Sequence, residues 1–200
     1  MKQVFSDSNG IALAAQSIKD GQVVIFPTDT VYGIGCNPYD ENAVNRIYTI
    51  KKRDETKPLP ILGYSKHILE NIVKFDEISN RIVEKFWPGQ LTVVLPLKDS
   101  RLKKLSGIGD TLAVRIPNNK CTLSLLKECK LIVGTSANIS GKEPFTNPQN
   151  IENDISKCDI FLNGGIIQNS NASTIIKIQN KNIKILRYGN ISKNDLVEAL

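Results

Sequence analysis

One histidine stands in the whole chain, His67, and the four cysteines, Cys36, Cys121, Cys129 and Cys158, contain no C-x-x-C pair. Structural zinc and disulfide frameworks need paired or closely spaced ligands, so both are excluded and the cysteines read as small core residues. A Ser-His-Asp hydrolase would have to be built on His67, which lies in the helical-looking stretch Ser65 to Glu70, where a surface position is the simpler reading. No carboxylate pair sits in an aromatic-flanked loop of the kind glycoside hydrolysis uses. No apolar run approaches the length of a bilayer crossing, and Met1 to Asp7 carries no apolar leader, which points to a soluble, cytoplasmic protein with no membrane partner.

The formal net charge of +6 permits a polyanionic partner, a nucleotide or RNA, without demanding one. No lysine or arginine run is long enough to form a nucleic-acid tail. The 200 residues fit one domain, 1–200, with room for a core that needs no staples.

The chain is organised around Val23 to Gly35. Val23 to Phe26 is an apolar, largely β-branched run that predicts a buried strand, and Pro27 ends it by removing an N–H donor. Thr28-Asp29-Thr30 then sets two hydroxyls and a carboxylate at the strand's mouth, while Gly33 and Gly35 let the backbone pass close to bulk. Such a mouth suits a small polar ligand. The same residues are also good turn chemistry with no ligand at all.

The rest follows from periodicity and caps. Residues 9–20 predict a helix with Asn9 as N-cap and Gly21 as its stop. A second helix opens near Pro38 and Asp40, shows Ala43, Val44, Ile47 and Ile50 on one face, and ends in Lys51-Lys52-Arg53. Leu59 to Gly63 predicts a strand, and helices are expected over 65–73 and 76–86. Leu91 to Leu97 and Thr111 to Ile116 predict strands, the second with Thr111 and Arg115 on one face, separated by a lysine-rich loop. A helix at 119–129, strands at 131–133, 159–162, 174–178 and 183–187, and a last helix from Ser192 complete an α/β chain of α+β type, a mixed β-sheet flanked by helices.

Gly134 to Gly141 is a dense run of hydroxyls and an amide after a buried strand. It falls short of a P-loop: six residues separate the glycines and Glu143 follows Lys142. Gly33-Ile34-Gly35 is not completed to G-x-G-x-x-G either. What remains is a hydroxyl set, Thr28, Thr30, Thr111, Ser136 and Ser173, and a cation set, Lys51, Arg53, Arg115 and Arg187. Together they suit a phosphate chain and a carboxylate, with catalysis by positioning and charge stabilisation. Arg115, inside a strand, calls for either a buried partner or an anionic ligand.

Six pieces in order carry a resemblance: Pro27 to Gly33, Lys51-x-Arg53 with Lys57-Pro58-Leu59, Arg115-Ile116-Pro117, Thr135 to Gly141, Ser173-Thr174 and Leu186-Arg187. Over residues 10–190 the chain resembles the YrdC-like threonylcarbamoyl-AMP synthases. The resemblance implies a twisted mixed sheet flanked by helices around a large basic cavity. It implies an enzyme, a nucleotidyltransferase, that condenses L-threonine, bicarbonate and ATP into threonylcarbamoyl-AMP and pyrophosphate. The product feeds tRNA modification beside the anticodon, completed by a downstream tRNA threonylcarbamoyl transferase complex, and contact with double-stranded RNA or tRNA is a further expectation.

Position by position, the resemblance puts threonine at Thr30, Arg115, Gly134 and Ser173, with Arg115 on the carboxylate. It puts ATP at Lys51, Arg53, Lys57, Thr111, Ser136 and Arg187, with Lys51, Arg53, Ser136 and Asn138 as the catalytic group. Mg²⁺ would be held mainly by the ATP phosphates and water. Leu62 stands where some relatives carry a histidine, Asp54 and Thr135 where many carry proline. Only one helix is expected beyond about Asn190, so the resemblance is to the short, single-domain form. The alternative is a catalytically silent paralogue that binds RNA through the basic cavity.

Overall fold

Val24, Ile25 and Phe26 alternate sides as a strand must: Val24 and Phe26 pack with Ala14, Ala15 and Ile18 of one helix and Leu125 and Leu126 of another, while Ile25 packs with the larger core cluster on the opposite face. The computed structural model describes residues 1–107, 109–151, 155–168, 171–179 and 182–199, with the backbone alone of Ser106 and Ser156. In chain order the elements are β1 (Lys2–Phe5), α1 (Ser8–Lys19), β2 (Val24–Phe26), β3 (Gly33–Gly35), α2 (Glu41–Lys51), β4 (Ile61–Gly63), α3 (Lys66–Leu69), α4 (Glu77–Phe86) and β5 (Leu91–Pro96). There follow β6 (Thr111–Arg115), α5 (Lys120–Cys129), β7 (Leu131–Val133), β8 (Thr135–Ser136), β9 (Ile160–Asn163), β10 (Thr174–Gln179), β11 (Asn182–Arg187) and α6 (Lys193–Val197).

The expected mixed α/β arrangement is present, with the strands divided between two sheets. One has the order β1-β9-β2-β3-β8 and the other β11-β10-β5-β6-β4-β7. Both are mixed: β2 runs parallel to β9 and antiparallel to β3, and β5 runs parallel to β10 and antiparallel to β6. The chain passes from one sheet to the other between β3 and β4, between β7 and β8 and between β9 and β10, and the second passage is made at the single residue Gly134. Two backbone bonds pin the crossing, from Val133 N–H to the Cys36 carbonyl (3.0 Å) and from Gly134 N–H to the Pro60 carbonyl (2.9 Å).

A side chain has no room at that crossing. A Cβ on Gly134 would lie 2.4 Å from Leu62 Cγ. Gly134→Ala is therefore expected to cost about 1–3 kcal/mol, the usual range for overpacking a filled core, read as a lowered midpoint in thermal or denaturant unfolding. An unchanged midpoint would mean that β4 and β7 can part at no cost.

Local expectations differ from the structure in a few places. The first helix is capped by Asp7, whose carboxylate accepts the Gly10 N–H at 2.8 Å, so it starts before Asn9. Regular helix after Ser65 lasts only to Leu69, because the Asn71 amide bonds the His67 and Ile68 carbonyls and Val73 then bridges to Leu97. The lysine-rich loop contains a 3₁₀ helix, Ser100–Ser106, tied down by Arg101–Asp99 and Lys104–Glu41 pairs. β1 is legible only through its parallel pairing with β9, since most of it is exposed. Cys36 and Cys158 are buried as expected, Cys121 and Cys129 are half-buried, and all four are free.

Candidate functional site

The residues after β2 turn back into their own backbone. Thr28 Oγ1 donates to the Val31 carbonyl (2.7 Å), accepts the Thr30 and Val31 N–H groups, and lies 3.0 Å from Thr30 Oγ1. Thr28 thus builds the turn, and Asp29 and Thr30 are presented by it. Arg115, from the end of β6, fits against them: Nη2 donates to Asp29 Oδ1 at 2.6 Å, Nη1 to Thr30 Oγ1 at 3.4 Å, and Nε to the Gly89 carbonyl at 2.8 Å. The arginine and aspartate side chains are 7% and 10% exposed, so this is a buried ion pair. Of the two answers open for a charge inside this strand, the structure contains the buried partner. Burial pulls the Arg115 pKa down and Asp29 opposes it; an arginine remains protonated through such a shift. Asp29 Oδ2 is buried without a hydrogen-bond partner among the described residues.

The second component is the loop after β8. Lys51, the last residue of α2, is 2% exposed and points under this loop. Its Nζ donates to the carbonyls of Ser136 and Asn138, the latter at 2.7 Å, and its own carbonyl accepts the Ser140 N–H at 2.8 Å. Both carbonyls favour the ammonium, but burial, aided by the Arg53 charge, outweighs them and lowers the pKa from 10.5 to about 8. Asn138 Nδ2 donates to the Ile139 and Lys142 carbonyls, closing the loop on itself. Arg53 reaches the loop's neighbourhood with Nη2 on the Pro58 carbonyl at 3.0 Å, while its buried Nε and the buried Oδ1 of Asn138 have no partner among the described residues.

The third component is the β10–β11 wall. Arg187 gives Nε and Nη2 to the Ser173 carbonyl (3.0 and 2.9 Å) and Nη2 also to Ser173 Oγ (2.9 Å). No carboxylate pairs with it among the described residues. Burial lowers its pKa, and the charge of Arg115 lowers it further, so the two guanidiniums repel each other. Ser173 Oγ lies 2.8 Å from Thr92 Oγ1 of β5.

These three components enclose one cavity of about 540 Å³ between the sheets. Alternation places Thr92 and Val94 of β5, Ala113 and Arg115 of β6, and Ser173 and Ile175 on its wall. Of the residues expected in a site, Thr30, Arg53, Arg115, Gly134, Ser136, Asn138, Ser173 and Arg187 line this one space. Lys51, Lys57 and Thr111 do not. Lys51 lies beneath the loop. Lys57 is exposed and contributes its carbonyl to the Tyr48 hydroxyl (3.0 Å). Thr111 shares the Arg115 face but pairs with Pro96 at the other end of β6, about 13 Å along the strand. Leu62 lines the cavity, and His67 is a surface residue with a 90% exposed side chain. Thr92 escaped sequence reasoning; the one available signal is a lone hydroxyl within the apolar run Leu91 to Leu95, which strand propensity explains equally well.

Comparison with known proteins gives a coherent result. The family model Sua5/YciO/YrdC, described as Telomere recombination, matches residues 16–189. The chain is 36% identical over 193 residues to threonylcarbamoyl-AMP synthase of Pyrococcus abyssi, covering 95% of this chain and 57% of that protein. It is 33% identical over 190 residues to threonylcarbamoyl-AMP synthase of Bacillus subtilis, covering 93% of this chain and 55% of the relative. The chain thus spans less than two thirds of the length of both. The crystal structure of P. abyssi Sua5 complexed with L-threonine superposes with a TM-score of 0.94 at 33% identity, covering 100% of this chain and 61% of that one. E. coli YciO, 23% identical with a TM-score of 0.85 and 94% of each chain covered, shares the fold.

Proposed function

From the premise that the chain belongs to the Sua5/YciO/YrdC family, we propose that it is a threonylcarbamoyl-AMP synthase, a nucleotidyltransferase making threonylcarbamoyl-AMP, pyrophosphate and water from L-threonine, bicarbonate and ATP. One observation carries the reading: Arg53, Arg115 and Arg187 face one cavity, Arg115 and Arg187 repel each other, and Arg115 is paired with Asp29 while Arg187 has no carboxylate partner among the described residues. The surplus charge calls for an anion, and a carboxylate or phosphate in that space relieves the repulsion. The relatives named for this activity, and the L-threonine bound to P. abyssi Sua5, supply the identity of the substrates.

In this reading Thr30, Arg115, Gly134 and Ser173 receive threonine. Three of the five Arg115 N–H groups are engaged within the protein, which leaves two for the substrate carboxylate. Arg53, Ser136 and Arg187 receive ATP, with the unpartnered Arg53 Nε–H available to a phosphate oxygen. Lys51 acts from below by fixing the Ser136 to Asn138 backbone. The amine of threonine and bicarbonate give a carbamate whose oxygen attacks the α-phosphorus, and pyrophosphate leaves opposite, so positioning and charge stabilisation are what the protein contributes. Mg²⁺ enters this reading on the triphosphate, held mainly by phosphate oxygens and water. No helix among the described residues is long and apolar enough to cross a membrane, and we place the reaction in the cytoplasm, upstream of a tRNA transferase.

Pyrophosphate release from ATP, Mg²⁺ and bicarbonate is expected to depend on L-threonine and to fall sharply when serine replaces it. Release that ignores threonine, or none at all together with salt-sensitive RNA binding, would replace this reading with that of an RNA-binding paralogue.

A further inference from the structure

Gly89 and Gln90, just before β5, do not line the cavity, yet three parts of its wall are tied to them. The Gly89 carbonyl accepts Arg115 Nε at 2.8 Å. The Gln90 carbonyl accepts the Thr174 N–H at 3.0 Å, which fixes the start of β10 beside Ser173. The Gln90 side chain reaches the third part, the turn after β2: its Nε2 donates to the Asp29 carbonyl at 2.8 Å. A backbone carbonyl can only accept, so the amide must face it with its NH₂ group. The amide oxygen is left to Asn190, whose Nδ2 donates to Gln90 Oε1 at 2.6 Å, and Asn190 Oδ1 in turn accepts Asn171 Nδ2 at 2.6 Å. The orientation of all three amides thus follows from one acceptor at the end of the row.

We infer that Gln90 is a positioning residue for the buried Asp29–Arg115 pair, holding the Asp29 end through its amide while the adjoining Gly89 holds the Arg115 end. The two partners come from different sheets, Asp29 from the turn between β2 and β3 and Arg115 from β6. Among the described residues Asp29 itself is hydrogen-bonded at its carboxylate to Arg115 and at its carbonyl to Gln90. The carbonyl bond is therefore the one that does not run through the arginine it helps to aim. A guanidinium is a rigid plane, so fixing Nε at Gly89 and Nη2 at Asp29 also fixes where its remaining N–H groups point, and that orientation is what an incoming anion meets. That this anion is the carboxylate of L-threonine rests on the proposed synthase reading; the fixing of the guanidinium does not.

The test uses two variants of the full chain and two readouts. Gln90→Met keeps the length of the side chain and removes the donor; Gln90→Glu keeps the shape of the amide and sets an acceptor against the Asp29 carbonyl. L-threonine affinity by calorimetry is expected to fall about three- to ten-fold in Gln90→Met, the span of one hydrogen bond, and at least as far in Gln90→Glu, with ATP affinity unchanged in both. The second readout needs no ligand: the Arg115 Nε–H resonance in the NMR spectrum, assigned by its absence from Arg115→Lys, is expected to move in both variants. Equal loss for the two ligands, a glutamate variant that binds threonine like the wild type, or an Arg115 Nε–H that stays in place overturns the inference. Wild-type protein that binds no L-threonine, with the Arg115 resonance still moved by both substitutions, overturns the synthase reading and leaves the positioning role standing.

Discussion

Arg115→Ala is expected to lose threonine binding and, at the same time, to be the most destabilising single change in the site. The two effects have different causes. Removing the guanidinium takes away the group proposed to face the substrate carboxylate, and it also strands Asp29, whose carboxylate is 10% exposed and already has one oxygen without a partner among the described residues. Breaking a buried pair by deleting one partner costs about 3–5 kcal/mol, because the remaining charge keeps its desolvation penalty. For a chain of this size that corresponds to roughly a 10 °C fall in Tm. A double variant, Asp29→Asn with Arg115→Ala, is expected to recover part of the stability and none of the threonine affinity. Denaturant unfolding and calorimetric titration of the wild type, the two single variants and the double variant measure the coupling directly. ATP affinity is expected to survive in all of them, since Arg53, Ser136 and Arg187 are untouched. Additive single effects on stability would mean that the pair is not closed in solution.

Lys51→Met is expected to lower kcat/KM by at least about 100-fold, with the loss appearing in ATP dependence. The lysine does not line the cavity; it donates to the Ser136 and Asn138 carbonyls, and hydrogen bonds from a charged donor are worth about 1.5–3 kcal/mol each. Without them the backbone that presents Ser136 and Asn138 is free to lift, and a displacement of about 1 Å in a positioned site can cost about 100-fold. The same variant tests the burial of the charge. Because the folded pKa is lowered from 10.5 to about 8, the unfolded chain holds the extra proton between those values, so the contribution of Lys51 to stability rises with pH across that window and is level below it. The unfolding free energy of the wild type minus that of Lys51→Met should therefore climb from about pH 8 to about pH 10.5. A flat difference would show that the amine is solvated. Methionine at this position fills the stem's volume, which keeps the comparison one of charge and hydrogen bonding.

Much of this was legible in the chain itself, for reasons of range. The apolar strand runs Val23 to Phe26 and Leu91 to Pro96, the stop at Gly21, and the helix openings at Asp40 and Ser192 are decided within a few residues of where they act. Three of the site's parts were visible in the same way, because Thr28 to Thr30, Ser136 to Asn138 and Ser173 each follow or precede a strand and so fall at a sheet's end. Local reasoning also has local failures. Asp7 and Asn9 are equally good caps on paper, and the helix started at the earlier one.

What the sequence determined by itself is therefore the inventory: which segments are strands, which polar residues stand at their ends, and which family pattern they form. What only the tertiary structure decided is who meets whom. Arg115 closes on Asp29 from 86 positions away, Lys51 dives under a loop that begins 85 residues later, and Thr111 stays outside a cavity that Arg115, on the same face of the same strand, enters. The chain steps directly from one sheet to the other at Gly134, where only hydrogen would fit beside Leu62. Periodicity and capping are set by backbone geometry over one or two turns, whereas ion pairing and burial of a charge depend on groups that share no sequence neighbourhood and are brought together only when the sheets close around the cavity.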